Sequence, residues 1–190
     1  MDVLFPFGYG LSYTTFEYSN LTLDKSKMKD TDTLTVSVNI RNTGKVKGKE
    51  VVQLYVGMPE SHTIRPIKEL RGFEKVELEP GEEKTVTFTL AKRAFAYYRT
   101  DISDWYVESG DYTIMAAKSS RDIACTATVN VTSTTQIKRV YTMNSTIEEI
   151  MESPVGREIL GKMMAQNPLA QADADDIGMG EAMARMMAEM

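Results

Sequence analysis

The sequence contains one cysteine, Cys125, and one histidine, His62, among 190 residues. A single cysteine excludes an internal disulfide, and one cysteine with one histidine cannot form the usual zinc site of nitrogen and sulfur ligands. An all-carboxylate calcium or magnesium site stays open, but no loop has EF-hand spacing. We therefore predict no metal and no cofactor. Cys125 lies in a predicted strand, where a thiol most often packs as a small apolar side chain.

Long apolar runs and an excess of positive charge are also missing. No run approaches the roughly 18 apolar residues of a membrane-spanning helix, and the first residues lack the pattern of a secretion signal. The net charge of −5 leaves no basic face for phosphates, so we expect neither a nucleic-acid nor a membrane partner. We expect a cytoplasmic location; a secreted or periplasmic one stays open, because the N-terminus of a longer parent would not be visible.

Alternation of apolar and polar side chains dominates residues 16–131. Between residues 33 and 40, the even positions from Leu34 to Ile40 are aliphatic and the odd positions are polar. This period of two is typical of a strand with one buried face. Turn residues separate about seven such segments, and no long helical pattern interrupts them. We therefore predict an antiparallel β-sandwich.

Two strands of this sandwich carry more specific predictions. Tyr112 begins a late strand, as in the tyrosine corner of β-sandwiches, so we expect its hydroxyl to bond backbone across the end of the sandwich. The strand at residues 70–78 has an ambiguous phase. Either of two sets could face inward: Leu70, Gly72 and Val76, or Phe73 and Leu78.

An aromatic segment precedes the strands. We call residues 5–16 (FPFGYGLSYTTF) the aromatic stretch. Each of its rings can bury roughly 150–250 Å², and its glycines and proline predict an irregular backbone. Two interpretations remain open, a local core under a loop and a joint between this domain and a neighbouring one.

Four segments, in order, carry a resemblance to a known family. They are the aromatic stretch continued to Leu21, Asn42-Thr43-Gly44 with Glu50–Val56, Arg65–Phe73 (RPIKELRGF), and Pro80-Gly81-Glu82. Each is unspecific alone, but together they lie in register within residues 3–132. The chain resembles the C-terminal fibronectin type III-like domain of glycoside hydrolase family 3 enzymes, the family of β-glucosidases and β-xylosidases.

The resemblance implies a fold class and a function. The fold is mostly β, a seven-stranded immunoglobulin or fibronectin type III-like antiparallel β-sandwich with a short α-helical C-terminal tail. The chain is then a non-catalytic accessory domain of a parent that hydrolyses terminal β-D-glucosides or related β-glycosides. It would stabilise the catalytic domains and border the substrate entrance, where the loop Ser61–Ile67 could point. The alternative is an independent carbohydrate-binding or self-association module.

The segment Ser103-Asp104-Trp105 has the context that surrounds the nucleophilic aspartate in this family. That aspartate belongs to the barrel domain, whereas this segment opens a run that resembles the end of the accessory domain, Trp105–Tyr112. Retaining hydrolysis also needs two carboxyl groups about 5 Å apart across a cleft, and no spacing here predicts one. We therefore expect Asp104 to be a solvated carboxylate and predict no catalytic residue.

Two sets of residues are candidates for binding. Tyr98 and Trp105 form an aromatic platform on which a sugar could stack; alternatively, Trp105 plugs the end of the core with Tyr98 beside it. The predicted partners are the catalytic domains of the parent, or a second copy bound through the aromatic stretch or the tail. The residues that we expect in contact with another domain are Phe5, Phe7, Tyr9, Tyr13 and Arg65.

The tail differs in composition from the strands, since nine of the thirteen methionines lie in residues 143–190. Ser153-Pro154 is typical of a helix start, and apolar spacing from Val155 onward predicts an amphipathic helix. A further apolar stripe runs from Met183 to Met190. The tail could pack on its own chain, self-associate, or be partly disordered. We divide the chain into an interdomain linker and aromatic joint (1–15), a β-sandwich (16–132), and a linker with a Met-rich helical tail (133–190).

Overall fold

A computed structural model of the chain describes residues 3–137, 145–151 and 153–165. The chain divides into two compact units, residues 1–136 and 137–190, and all strands of the described residues lie in the first. The strands are β1 (Phe16–Leu23), β2 (Lys27–Lys29), β3 (Leu34–Asn42), β4 (Gly48–Gly57), β5 (Glu69–Leu78), β6 (Glu83–Leu90), β7 (Tyr97–Arg99), β8 (Asp104–Tyr106), β9 (Gly110–Ala117) and β10 (Ile123–Thr132).

Seven long strands form two facing sheets, which confirms the predicted sandwich. One sheet has the order β1-β3-β6, and the other has the order β2-β10-β9-β4-β5. The long strands pair antiparallel throughout. Sequence patterning missed three strands of three residues each: β2, which pairs parallel to β10, and β7 and β8, which form a separate two-stranded ribbon.

The core lies between the two sheets and is filled by the side chains that alternation marked as inward. On β3 the even positions from Leu34 to Ile40 are fully buried, as predicted. On β4 the buried run from Val52 to Gly57 includes both faces of the strand, so this part of β4 is covered on both sides. Burial of such aliphatic side chains stabilises a fold by roughly 1.5–3 kcal/mol each.

The phase of β5 is now defined. Val76 and Leu78 are buried in the core, whereas Phe73 is 69% exposed on the opposite face. Grouping Phe73 with Leu78 as an inward set was therefore wrong. Phe73 lies three residues before Val76 and five before Leu78, and the pairing with β4 is regular over this stretch, so simple alternation directs its ring to the opposite face.

Tyr112 forms the predicted corner. Its ring is fully buried and meets the ring of Phe95 edge-on at a centroid distance of 5.3 Å. Its hydroxyl lies 2.9 Å from the carbonyl oxygen of Glu108, its acceptor, and 3.3 Å from that of Phe95. Burial raises the pKa of Tyr112 to about 12. The corner thus closes the end of the sandwich from which the loop after β4 emerges.

Asp30 is a buried carboxylate that fastens the chain after β10. It accepts a hydrogen bond from the backbone N–H of Thr134 at 2.9 Å, and the ammonium of Lys92 lies 3.4 Å from its other oxygen. Burial alone would raise the pKa of Asp30. The hydrogen bond from Thr134 and the charge of Lys92 outweigh burial and hold the pKa below its usual range.

The second unit contains two described helices, α1 (Ile147–Met151) and α2 (Pro154–Ala165). The Ser153 hydroxyl accepts a hydrogen bond from the Gly156 N–H at 3.3 Å, so Ser153 is the N-cap predicted for α2. Val155, Ile159 and Met163 on α2 are at least half exposed. The stripe from Met183 to Met190 lies entirely outside the described residues.

Loss of the Tyr112 hydroxyl should destabilise the sandwich. In Tyr112→Phe the carbonyl oxygens of Glu108 and Phe95 lose a buried donor, which costs about 1–3 kcal/mol. We expect urea unfolding to show a loss of that size. Tyr98→Phe, on a half-exposed ring, is the control and should change the free energy of unfolding by less than about 0.5 kcal/mol. Equal losses in the two variants would contradict this role for the corner.

Asp30 should make stability depend on pH in the acid range. Its pKa is lower in the folded chain than in the unfolded chain, so its ionised form contributes stability that is fully present above the unfolded pKa. That contribution is lost as the pH falls through the folded pKa. Asp30→Asn should lower the free energy of unfolding by roughly 1 kcal/mol at neutral pH and flatten its decline below about pH 4.

Urea titrations between about pH 7 and about pH 3 measure this difference. Asp32→Asn is the matched control. It removes the same charge from an exposed side chain that lies two residues after Asp30. A decline below about pH 4 that is equally steep in Asp30→Asn and in the unsubstituted chain would show that Asp30 does not carry the effect.

Candidate functional site

Gln53 holds the aromatic stretch on the outer face of the five-stranded sheet. Its neighbours on β4 point into the core, so its own side chain points outward, yet Gln53 is only 3% exposed. Its Nε2 donates to the carbonyls of Gly8 at 3.1 Å and Lys118 at 2.7 Å. Its Oε1 accepts a hydrogen bond of 2.7 Å from the Tyr55 hydroxyl. The backbone at Gly8 therefore covers a polar group that would otherwise face solvent.

Two further features fix the backbone of the stretch. Gly8 has a φ of +76°, and a Cβ there would collide with the Gln53 carboxamide, so only glycine fits this position. The carbonyl of Phe7 accepts a hydrogen bond of 2.9 Å from the N–H of Ser120. Further along, the Thr14 hydroxyl donates to the Asn42 side chain at 2.6 Å.

The apolar side chains of the stretch point away from this fixed backbone. Phe16 is buried as the first residue of β1, but the other rings are not, so the interpretation as a local core fails for them. Placement beside a neighbouring domain stays a prediction, and exposure makes these rings available for it. The exposed fractions are 64% for Phe5, 68% for Phe7, 48% for Tyr9, 102% for Tyr13 and 88% for Leu11.

Glu108 holds the loop formed by residues 58–68, which joins β4 to β5. Its carboxylate is nearly buried and accepts hydrogen bonds from the Ser61 hydroxyl at 2.8 Å and from the His62 backbone N–H at 2.9 Å. The Nδ1 atom of His62 contacts the same carboxylate, although the imidazole is 92% exposed. Burial acts to raise the pKa of Glu108, but the hydrogen bonds from His62 and Ser61 outweigh it and lower the pKa.

Arg65 anchors the same loop by contacts with the start of β5 and with β7. Its side chain is only 7% exposed, its guanidinium lies 3.1 Å from Glu69, and it packs 5.5 Å from the ring centroid of Tyr97. Arg71 also pairs with Glu69, at 2.9 Å. Arg65 therefore differs from the other residues predicted to contact another domain, because it can act on a partner only through the loop that it positions.

The loop presents apolar side chains at its surface. Ile64 is 105% exposed and Ile67 is 86% exposed. The carbonyl of Ile67 lies so close to Gly57 that a Cβ at Gly57 would collide with it, so Ile67 rests against the outer face of the five-stranded sheet. The loop is thus fixed at both ends and carries two isoleucines that contribute little to the fold of this chain.

Tyr98 and Trp105 do lie together, on the β7–β8 ribbon. Their ring centroids are 5.5 Å apart at an interplanar angle of 68°. Trp105 is partly buried against the core, and the guanidinium of Arg93 lies 3.2 Å from its ring centroid, while Tyr98 is half exposed. Arg93 thus occupies one face of the indole. The role of this pair as a sugar platform stays a prediction. A sugar could stack only on the part of the indole that Arg93 and the core leave uncovered.

Asp104 is exposed at the start of β8, where its side chain accepts a hydrogen bond of 2.7 Å from the N–H of Trp105.

Among the described residues, no group of three or more His, Cys, Asp or Glu side chains could hold a metal ion. In the same part of the chain, no helix is long and apolar enough to cross a membrane.

Sequence reasoning assigned no role to Gln53, Glu108 or Phe73. A signal existed for the first, because Gln53 is the one amide in the apolar run from Val51 to Val56. For Glu108 the signal was its position four residues before Tyr112. For Phe73 the signal was its odd spacing from Val76 and Leu78, which by alternation places it on the face opposite to theirs.

Comparison with known proteins bears on the whole chain. The pattern of the fibronectin type III-like domain matches residues 50–120. The thermostable β-glucosidase B of Acetivibrio thermocellus is 51% identical over 177 residues, which is 93% of this chain and 23% of that protein. The exo-α-(1→6)-L-arabinopyranosidase of Bifidobacterium breve is 43% identical over 84% of this chain and 21% of that protein.

A solved structure agrees with these matches. The crystal structure of the family 3 β-glucosidase of Bifidobacterium adolescentis superposes with a TM-score of 0.70 at 39% identity, covering 82% of this chain and 22% of that one. The resemblance reaches beyond residue 132, because the match to the Acetivibrio thermocellus protein is longer than the segment 3–132. The chain spans less than a quarter of the length of each of these relatives.

The matched quarter is the part that carries the fibronectin type III-like domain, and the chain contains that domain as a sandwich closed by Tyr112. The chain is thus a homologue of the non-catalytic, fibronectin type III-like portion of glycoside hydrolase family 3 β-glucosidases.

Proposed function

We propose that the chain is an accessory domain that packs against the catalytic domains of a family 3 glycoside hydrolase and stabilises them. The parent hydrolyses terminal β-D-glucosides or related β-glycosides. The observation that carries the proposal is the aromatic stretch, with a backbone fixed on Gln53 and Ser120 and with rings that face away from the sandwich. The relatives support it, because they are several times longer than this chain and are named as glycosidases.

The free energy of burying these rings favours docking over their continued exposure to water. Moving one such ring from water to an apolar contact stabilises by roughly 1.5–3 kcal/mol. Phe5, Phe7 and Tyr9 are all at least 48% exposed, so each has area left to bury. Because their backbone is already ordered, little conformational entropy is lost when a partner covers them.

A finer part of the proposal concerns the 58–68 loop, which we assign to the border of the substrate entrance. A border needs a rigid loop, and Glu108 and Arg65 fix this one from two sides. It also needs side chains that face outward, and Ile64 is fully exposed. An apolar side chain at this place would contact the part of a longer substrate that extends out of the active site.

The docking proposal is tested in a joined enzyme, in which this chain replaces the matching region of the Acetivibrio thermocellus β-glucosidase B. Replacing Phe5, Phe7 and Tyr9 together by Ser should lower the temperature at which the joined enzyme loses aryl-β-glucosidase activity by several degrees, because an interdomain contact is removed. The same triple change should leave the unfolding midpoint of the isolated chain nearly unaltered.

Val46→Ser is the control for this test, since Val46 is 46% exposed at the turn between β3 and β4, outside the aromatic stretch. It should leave both proteins unchanged. An unaltered joined enzyme after the triple change would refute docking through the aromatic stretch. A triple change that unfolds the isolated chain would show that the rings serve the sandwich instead.

The entrance role of the loop is tested separately in the joined enzyme by Ile64→Ser. We expect kcat/KM for a β-glucan oligosaccharide to fall roughly threefold to tenfold relative to that for an aryl β-glucoside, with thermal stability unchanged. Glu108→Ala, which frees the loop, should move the same ratio in the same direction. Thr89→Ala, on the other sheet, serves as the control. A ratio unchanged by Ile64→Ser would refute the assignment.

A further inference from the structure

The two outer faces of the sandwich differ in chemistry. On the three-stranded sheet, the outward side chains of β3 and β6 form a hydroxyl- and amide-rich surface. Ser37 bonds Thr87 at 3.1 Å, and the Thr85 hydroxyl donates to Asn39 at 2.9 Å. These polar groups satisfy one another and face solvent readily. The outward residues are Thr35, Ser37 and Asn39 on β3, opposite Thr89, Thr87 and Thr85 on β6.

The outer face of the five-stranded sheet carries exposed apolar side chains where β4 pairs with the edge strand β5. Val51, Gln53 and Tyr55 point outward from β4, since the residues between them lie in the core. The register of β5 places Phe73 opposite Gln53, so the Phe73 ring shares this face. Phe73 is 69% exposed and Val51 is 38% exposed. Phe73 lies on the edge strand β5 beside Val51 on β4, and exposed apolar side chains that adjoin one another are typical of a contact surface.

The aromatic stretch and the 58–68 loop border the same face. Gly8 is bonded to Gln53, and Ile67 rests on Gly57 two residues beyond Tyr55. Between the stretch and the sheet runs a groove of about 740 Å³, whose lining includes Tyr9, Val51 and Lys75. The exposed apolar side chains of the stretch, the sheet and the loop therefore surround one face of the domain.

We propose that this whole face, and not the aromatic stretch alone, is the surface on which the catalytic portion of the same polypeptide packs. We call it the docking face: the aromatic stretch with Val51, Phe73 and Ile67. This inference rests on the proposed function. The occupant follows from two facts: the relatives hold more than three quarters of their length outside the matched region, and the aromatic stretch, through which the chain enters the sandwich, lies on this face.

The chemistry of the face defines what its occupant must offer. The exposed apolar side chains require an apolar surface with a protrusion that enters the groove. The groove lining includes the cationic Lys49, Lys75 and Lys118 and the acidic Glu50 and Asp122, so polar side chains are expected beside the protrusion. The opposite sheet, whose outward hydroxyl and amide groups bond one another, offers no comparable apolar area and stays in solvent.

The test compares Phe73→Thr and Val51→Thr in the isolated chain and in the joined enzyme. Threonine keeps the preference for strand structure, so the sandwich itself should be retained. In the isolated chain we expect an unchanged urea midpoint. In the joined enzyme we expect the half-life of aryl-β-glucosidase activity at elevated temperature to fall at least about fivefold. Thr87→Ala, on the outer face of the other sheet, should leave that half-life unchanged.

Each other outcome overturns the inference in a distinct way. If Phe73→Thr leaves the joined enzyme intact while the triple change in the aromatic stretch destabilises it, docking stands but does not use the sheet. If both leave it intact, the proposed function fails as well. If Phe73→Thr destabilises the isolated chain equally, the ring serves the sandwich. If the loss of half-life disappears at high enzyme concentration, the face binds a second copy.

Discussion

The buried amide of Gln53 is the interaction on which the position of the aromatic stretch depends. An amide on the outer face of a sheet can bond water at no cost, but Gln53 instead bonds Gly8, Lys118 and Tyr55 and is almost without exposure. A buried amide left without partners would cost about 1–3 kcal/mol, so the chain at Gly8 must stay in place. Because the backbone bonds inward to Gln53, the rings on either side of Gly8 are directed outward. A side chain on the outer face of the sheet thus determines which side chains of the aromatic stretch face solvent.

A second buried polar group performs the corresponding task at the end of the sandwich. The backbone of Glu108 is held by Tyr112, and its carboxylate holds Ser61 and His62. The rigid corner and the surface loop are therefore connected through one residue, whose backbone serves the fold and whose side chain serves the loop. The loop is also supported from its other side by Arg65, which contacts Glu69 and Tyr97. Ile64 and Ile67 are therefore exposed on a loop whose backbone is held in place.

The sequence predicted the parts of the fold that follow from regular alternation. The aliphatic positions of β3 and the corner at Tyr112 were both recognisable. What it did not predict depends on contacts between distant segments. The anchoring of Gly8 follows from an amide 45 residues away, which leaves no local pattern. The outward position of Phe73, by contrast, follows from plain alternation with the buried Val76 and Leu78, so the sequence held a signal for it that was not used.

The distribution of apolar area explains why such a domain is built so rigidly. Phe7, Ile64 and Phe73 contribute almost nothing to the stability of this chain while they face water. In the proposed docking, the free energy gained by their burial is reduced by whatever order must be imposed on the surface. Polar anchors that order the backbone during folding remove that cost in advance. An exposed apolar face on a mobile segment would bind weakly and aggregate readily, whereas the same face on a segment fixed by Gln53 and Glu108 is prepared for one partner geometry.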